Sequence, residues 1–370
     1  MRQLLLKPQL FKYEKCADFV AEFNIGKGDL IITNKFIYDP FFGGLSLEAD
    51  VLYQEKYGAG EPSDEMAEAI YADIKATHRR IIAIGGGTVI DLAKLYALKN
   101  VSPVIDLFDR KLEILRDKEL VIVPTTCGTG SEVTNISILE IKSRQTKLGL
   151  AVDELYADSA VMIPELLKGL PYNVFATSSI DALIHAVEAA VSPKATIYTK
   201  TLGAKAIDII IRGYKDIAKN GKDARLPLLE DFLFAGNLAG IAFANAGVGA
   251  VHAMSYPLGG KYHVAHGEAN YALFTRIFDE YMTISQDGAI QEINSLLTVL
   301  LGFPQKDIYS ALADLLEKIL PLKRLSEYGV VEADIADFTA NVMEKQGRLT
   351  ANNYVPLDSA RVASIYRDLL

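Results

Sequence analysis

Three of the five histidines in a chain of 370 residues, His252, His263 and His266, crowd into the stretch HAMSYPLGGKYHVAHG. Imidazole at that density suits proton transfer or a metal, because each ring offers a lone pair near neutral pH. Upstream, SSIDALIHAVEAA sets Asp181 and His185 four residues apart, so a helix there projects both from one face. Such a pair also arises as a plain hydrogen bond on a helix surface. His252 weakens that alternative: it lies near the end of a long uncharged run, where a buried imidazole needs a partner or a metal. Pro257, Gly259 and Gly260 are expected to break the helix and let His266 return to the same cavity from a separate segment. Asp181, His185, His252 and His266 then form an oxygen and nitrogen set suited to a divalent transition metal, with Fe²⁺ and Zn²⁺ both compatible. His263 is open to three roles: ligand, proton relay or surface residue. His78, in KATHRRI, reads as ordinary surface.

A second chemistry is written in the glycines. RRIIAIGGGTVIDLAK puts Gly85, Gly86 and Gly87 between an apolar strand and a helix whose first turn carries Thr88. The unpaired N–H groups of such a junction, with no side chains in the way, suit a pyrophosphate. The run lacks the GxGxxG spacing, and alone it could be a tight turn. VIVPTTCGTGSEVT adds a second loop after another strand, with Thr125, Thr126, Thr129 and Ser131 among its glycines. Two such loops at strand ends of one sheet favour a nucleotide. Asn34 ends LIITN where an acidic residue often faces a ribose 2′-hydroxyl, and its neutrality leaves NAD against NADP open. Cys127 reads as a small packing residue rather than a reactive thiol.

These residues need a framework, and the chain supplies two. Through the first half, β-branched runs such as LIITN (30–34), RIIAIGG (80–86) and ELVIVP (119–124) alternate with helical segments such as MAEAIYADIKAT (66–77). That alternation implies a parallel sheet. Past Pro171 only helical periodicity remains, in 178–192, 200–217 and 308–320. The expectation is an α/β dinucleotide-binding domain over 1–175 and an all-helical domain over 176–370. Residues 232–260 carry no charged side chain, yet Asn237, Asn245, His252, Pro257 and six glycines suit a helix packed inside a protein better than a membrane span. A net charge of −9 and a pI near 5.2 give no footprint for nucleic acid or an anionic membrane. A small molecule is the better partner. Two distant cysteines, Cys16 and Cys127, and a start lacking a secretory pattern point to the cytoplasm.

The motifs GGGTVIDLAK (85–94), PTTCGTGSEVT (124–134), Asp181-x-x-x-His185, HAMSYPLG (252–259) and HVAHGEAN (263–270), in this order, resemble the iron-containing (group III) alcohol dehydrogenase family along essentially the whole chain. The resemblance implies its architecture, related to dehydroquinate synthase: an α/β dinucleotide-binding domain, then an all-helical domain. It implies one metal ion held by Asp181, His185, His252 and His266. It implies nicotinamide dinucleotide, NAD with NADP not excluded, bound through Asn34, Gly86, Gly87, Thr88, Asp91, Thr125, Thr126, Thr129, Ser131 and Lys147. Tyr256 stands where many members have a proton-relaying His, so Tyr256 and His263 are expected to share that relay. Asn34 likewise stands where the family often has Asp. Overall likeness within the family points to interconversion of 4-hydroxybutyrate and succinate semialdehyde, which calls for a cation near the metal, with Arg144, Lys261 and Arg276 as possibilities. Another short-chain alcohol or diol, a metal-dependent lyase on the same scaffold, and a filament-forming structural subunit are the rival readings. A homo-oligomer, dimer or larger, is expected from the long apolar helices.

Overall fold

The computed structural model describes residues 2–75, 77–144 and 146–370. Residues 6–170 form one compact unit, and residues 2–5 with 171–370 form another. The N-terminal strip joins the second because the Leu5 amide donates to Asn245 Oδ1 at 2.7 Å and Thr196 Oγ1 donates to the Gln3 carbonyl at 2.9 Å.

In the first unit six strands make one parallel sheet: β1 (Gln9–Lys12), β2 (Asp29–Thr33), β3 (Asp50–Tyr53), β4 (Arg80–Gly85), β5 (Glu119–Pro124) and β8 (Ser159–Met162), ordered β1-β8-β5-β4-β2-β3. β2 and β4 are buried at every position, as strands covered on both faces must be. Beside the sheet, β6 (Ile136–Ile141) and β7 (Thr146–Ala151) form a two-stranded antiparallel ribbon that carries Lys147. The helix read at 66–77 spans Asp64–Asp73, started by Ser63, whose hydroxyl accepts the Met66 amide at 3.2 Å; position 76 lies outside the described residues. His78 is not surface. It is buried, with Nε2 2.8 Å from Asp50 Oδ2, because the link into β4 brings it to the carboxylate at the start of β3.

The second unit is helical throughout its described residues. Its core is the Tyr172–Val191 helix, buried along nearly its whole length, packed against Ile197–Asn220 and Leu229–Ala246. The uncharged run is two helices and not one: Leu229–Ala246 stops at Gly247, whose φ of +80° and neighbouring Asn352 amide, 2.4 Å from where a Cβ would lie, admit only glycine. Ala250–Tyr262 then begins. Contrary to expectation it does not break at Pro257. The proline forfeits one hydrogen bond, but buried Met254, Leu258 and Gly259 on both sides hold the helix, which ends at His263 in a left-handed conformation, φ +53°.

Candidate functional site

Four side chains converge within the helical unit. Asp181 and His185 sit one turn apart on Tyr172–Val191, His252 in the first turn of Ala250–Tyr262, and His266 at the start of His266–Tyr271. One ligand atom from each lies within 4.8 Å of all the others. Asp181 Oδ1 is 3.8 Å from His252 Nε2 and 3.9 Å from His266 Nε2. His185 is clamped between the Phe243 ring at 4.3 Å and the His252 ring at 4.7 Å, both near-parallel, which fixes its plane. Three of the four are buried, while the His266 side chain keeps 32% exposure and so leaves one side open.

The surroundings decide what this cluster can hold. Glu188, two turns after Asp181, accepts His252 Nδ1 at 2.6 Å and the Val251 amide at 2.8 Å, one bond per carboxylate oxygen. His252 therefore carries its proton on Nδ1 and turns the Nε2 lone pair into the cluster. The Asn270 amide donates to Asp181 Oδ1 at 2.8 Å and lies 3.1 and 3.2 Å from Nε2 of His252 and His266, while its own buried Oδ1 has no partner among the described residues. Burial alone would raise the Asp181 pKa. The histidines at 185, 266 and 252 and the Asn270 amide outweigh it and hold the carboxylate below its ordinary range. An anionic oxygen and imidazole lone pairs converging in a largely buried pocket, with a carboxylate behind one ring, are a donor set that would hold a divalent transition-metal ion. Glu188 and Asn270 were not foreseen, although Glu188 shares a helix face with Asp181 and His185.

Tyr256 stands one turn beyond His252, its ring 6.4 Å from His266. His263 is exposed at the helix end and outside the converging group. The possible carboxylate clamps are each engaged already: Arg144 by Asp109 at 2.7 Å on both arms, Lys261 by Asp334, and Arg276 by Asp368 at 2.7 Å and Glu280 at 3.0 Å.

In the sheet unit the two glycine loops lie side by side at the C-terminal ends of β4 and β5, joined by the Thr125 amide to the Gly85 carbonyl at 3.1 Å. A Cβ on Gly85 would fall 2.5 Å from that of Val89, one on Gly87 3.1 Å from Thr129 Cγ2, and one on Gly86 3.4 Å from Thr126 Cγ2. The Gly87–Tyr96 helix has no side-chain cap, so its first N–H groups are left for a ligand. Thr88 Oγ1 donates to the Gly60 carbonyl at 3.0 Å. Beneath, Ser131 Oγ donates to Asp91 Oδ1 at 2.6 Å and accepts from Lys94 Nζ at 2.8 Å, and Lys94 also reaches Thr134 Oγ1 and the Ile136 carbonyl. Burial lowers the Lys94 pKa to about 8 against the pull of Asp91 and Glu132. Lys94, hidden in the apolar run DLAKLYAL, is the lock between the loops that sequence reading missed. On the ribbon, Lys147 pairs with Glu61 of the segment that precedes the Asp64–Asp73 helix, and Asn34 is buried at the end of β2.

Comparison with known proteins adds to this geometry. Residues 10–164 match the family model described as iron-containing alcohol dehydrogenase, and 175–370 match that of the Fe-containing alcohol dehydrogenase family, C-terminal. The chain is 50% identical over 370 residues to 4-hydroxybutyrate dehydrogenase of Clostridium kluyveri, covering 100% of both. It is 35% identical over 296 residues to long-chain-alcohol dehydrogenase 1 of Geobacillus thermodenitrificans, covering 77% of this chain and 73% of that one. Among solved structures, sulfoacetaldehyde reductase of Bifidobacterium kashiwanohense in complex with NAD⁺ superposes with a TM-score of 0.84 at 21% identity, over 100% of this chain and 98% of that one.

Proposed function

The chain belongs to the iron-containing alcohol dehydrogenase family, and from that premise we propose that it interconverts 4-hydroxybutyrate and succinate semialdehyde with NAD. The observation that carries the chemistry is the convergence of Asp181, His185, His252 and His266 in one buried pocket, which in this reading holds Fe²⁺ or Zn²⁺. The substrate rests on identity to a 4-hydroxybutyrate dehydrogenase along the full length of both chains. When bound, the metal supplies Lewis acidity toward the alcohol or aldehyde oxygen, and the nicotinamide supplies the hydride acceptor or donor. The protein's own residues do the rest. Asp181 lends the pocket its negative charge, and Glu188 keeps the His252 Nε2 lone pair turned inward. Tyr256 carries the alcohol proton at its hydroxyl, and exposed His263 passes it to water. Gly86, Gly87 and Thr88 take the pyrophosphate on their N–H groups. Asp91, Thr125, Thr126, Thr129 and Ser131 shape the loops around it, while Asn34 and Lys147 serve the riboses. A cytoplasmic location and a homo-oligomeric state belong to the same reading.

The test is NADH oxidation by protein reconstituted anaerobically with Fe²⁺ or Zn²⁺, given succinate semialdehyde beside butyraldehyde. Strong preference for the semialdehyde is expected. Preference for butyraldehyde would discard the substrate and keep the metal centre, and no oxidation of NADH with either would overturn the dehydrogenase reading.

A further inference from the structure

At the open end of the sheet, a carboxylate occupies the place that Asn34 leaves neutral. Thr33 pairs with Tyr53 and Ile32 with Ala83, so the same register sets Asn34 level with Gln54 on one side and with Gly85, at the glycine loop, on the other. Adjacent strands lie about 4.8 Å apart, so Glu55, just past Gln54, stands two strands from that loop. Its side chain does not wander. Glu55 Oε2 accepts the Asn34 amide at 3.0 Å, and Oε1 accepts the Lys35 backbone N–H at 2.7 Å.

The orientation of Asn34 is itself dictated from below. Its amide nitrogen also donates to Gln54 Oε1 at 3.1 Å, and buried Gln54 turns its own nitrogen to the Gly58 carbonyl at 3.0 Å and Met66 Sδ at 3.2 Å. That chain of amides spends both Asn34 N–H bonds, one on Gln54 and one on Glu55, and leaves Asn34 no charge of its own. Two buried amides thus hold one exposed anion at the strand ends. In open α/β sheets, an acidic group beside the glycine loop accepts the adenosine ribose hydroxyls and repels a phosphate at the 2′ position.

We propose that Glu55 is the residue that selects NAD over NADP, its carboxylate standing in from β3 for the acid that β2 lacks. The inference rests on the dinucleotide reading given above. The nearby cations, Lys35 and Lys56, are both exposed, and Lys56 Nζ lies over the Tyr53 ring at 5.2 Å. They would favour a 2′-phosphate if Glu55 did not sit between Asn34 and the Lys35 amide.

Fluorescence titration of NADH and NADPH into the metal-loaded full-length protein reads binding apart from turnover. The wild type is expected to bind NADH at least about tenfold more tightly than NADPH. E55Q keeps an oxygen for the Lys35 N–H but removes the charge, and should shrink the ratio of the two dissociation constants about tenfold, chiefly by tightening NADPH. Adding N34D to E55Q moves the acid to β2 and should restore the preference. An unchanged ratio in E55Q overturns the proposal, including the case where both dinucleotides loosen alike. A wild type that prefers NADPH overturns it too but leaves the dehydrogenase reading intact, whereas binding of neither dinucleotide defeats both.

Discussion

In the helical pocket, Asp181, His185 and His252 are sealed from water and each brings a whole side chain to one point. At the C-terminal edge of the sheet, where the central strands β4 and β5 end, Gly86, Gly87 and Thr88 offer backbone N–H groups and a short hydroxyl instead. The pocket is held by Glu188, which fixes from behind which His252 atom faces inward, and by the Asn270 amide, which meets Asp181 and the inward Nε2 atoms of His252 and His266. The edge is held from beneath by Lys94, Ser131 and Asp91, which touch the loops rather than the space above them. A point charge needs exact donors, while a long dinucleotide needs room and a rigid rim. Damage to the first should therefore be close to all-or-none, and damage to the second graded.

His266→Ala is the sharpest break. The side chain is partly exposed and lies at the start of a short helix, so its loss should leave the fold intact while stripping one of four donors. Metal analysis of the purified variant should find the ion gone and turnover at background, with NADH binding retained. Full activity with metal in place would end the four-ligand assignment.

Glu188→Gln comes next, with metal affinity lowered about 10- to 100-fold. A carboxylate offers two acceptor oxygens, used here by Val251 N–H and His252 Nδ1, but an amide offers one. If the Val251 bond keeps it, the new NH₂ faces Nδ1, and the His252 proton moves to Nε2, where it blocks the metal. Competition with a chromophoric chelator measures the loss. An unchanged metal affinity would mean that Glu188 only packs the helices.

The same contrast explains which features the amino-acid sequence carries on its face. The convergence of Asp181, His185, His252 and His266 was legible because Asp181 and His185 keep helical spacing and because histidine is scarce elsewhere. The sheet was legible where both faces are covered, as in β2 and β4, but not in β1 or the β6–β7 ribbon, whose half-exposed residues carry no continuous apolar run. The helix through Pro257 escaped because tertiary packing overrode a local breaker. Glu188, Asn270, Lys94 and Glu55 escaped for a shared reason: each acts through a partner distant in sequence, and no local spacing encodes that.

Lys94 gives the smallest and most discriminating test of the edge. Burial lowers its pKa from 10.5 to about 8, so the folded protein gives up this proton more readily than the unfolded chain. Between those values the unfolded state binds more protons, and stability rises with pH; below about 8 both states are charged and the contribution is flat. From about pH 7 to pH 9 the gain should be on the order of 1 kcal/mol. Lys94→Met removes it, so the difference between wild-type and variant unfolding free energies should change by that amount across the interval. Ordinary surface lysines cancel in that difference. Because Lys94 holds Ser131 and Thr134 in place, the variant should also weaken NADH binding only several-fold while retaining its metal, the graded response expected of a rim. A variant that lost metal as well would show that the pocket and the edge are not independent, and would break the contrast between them.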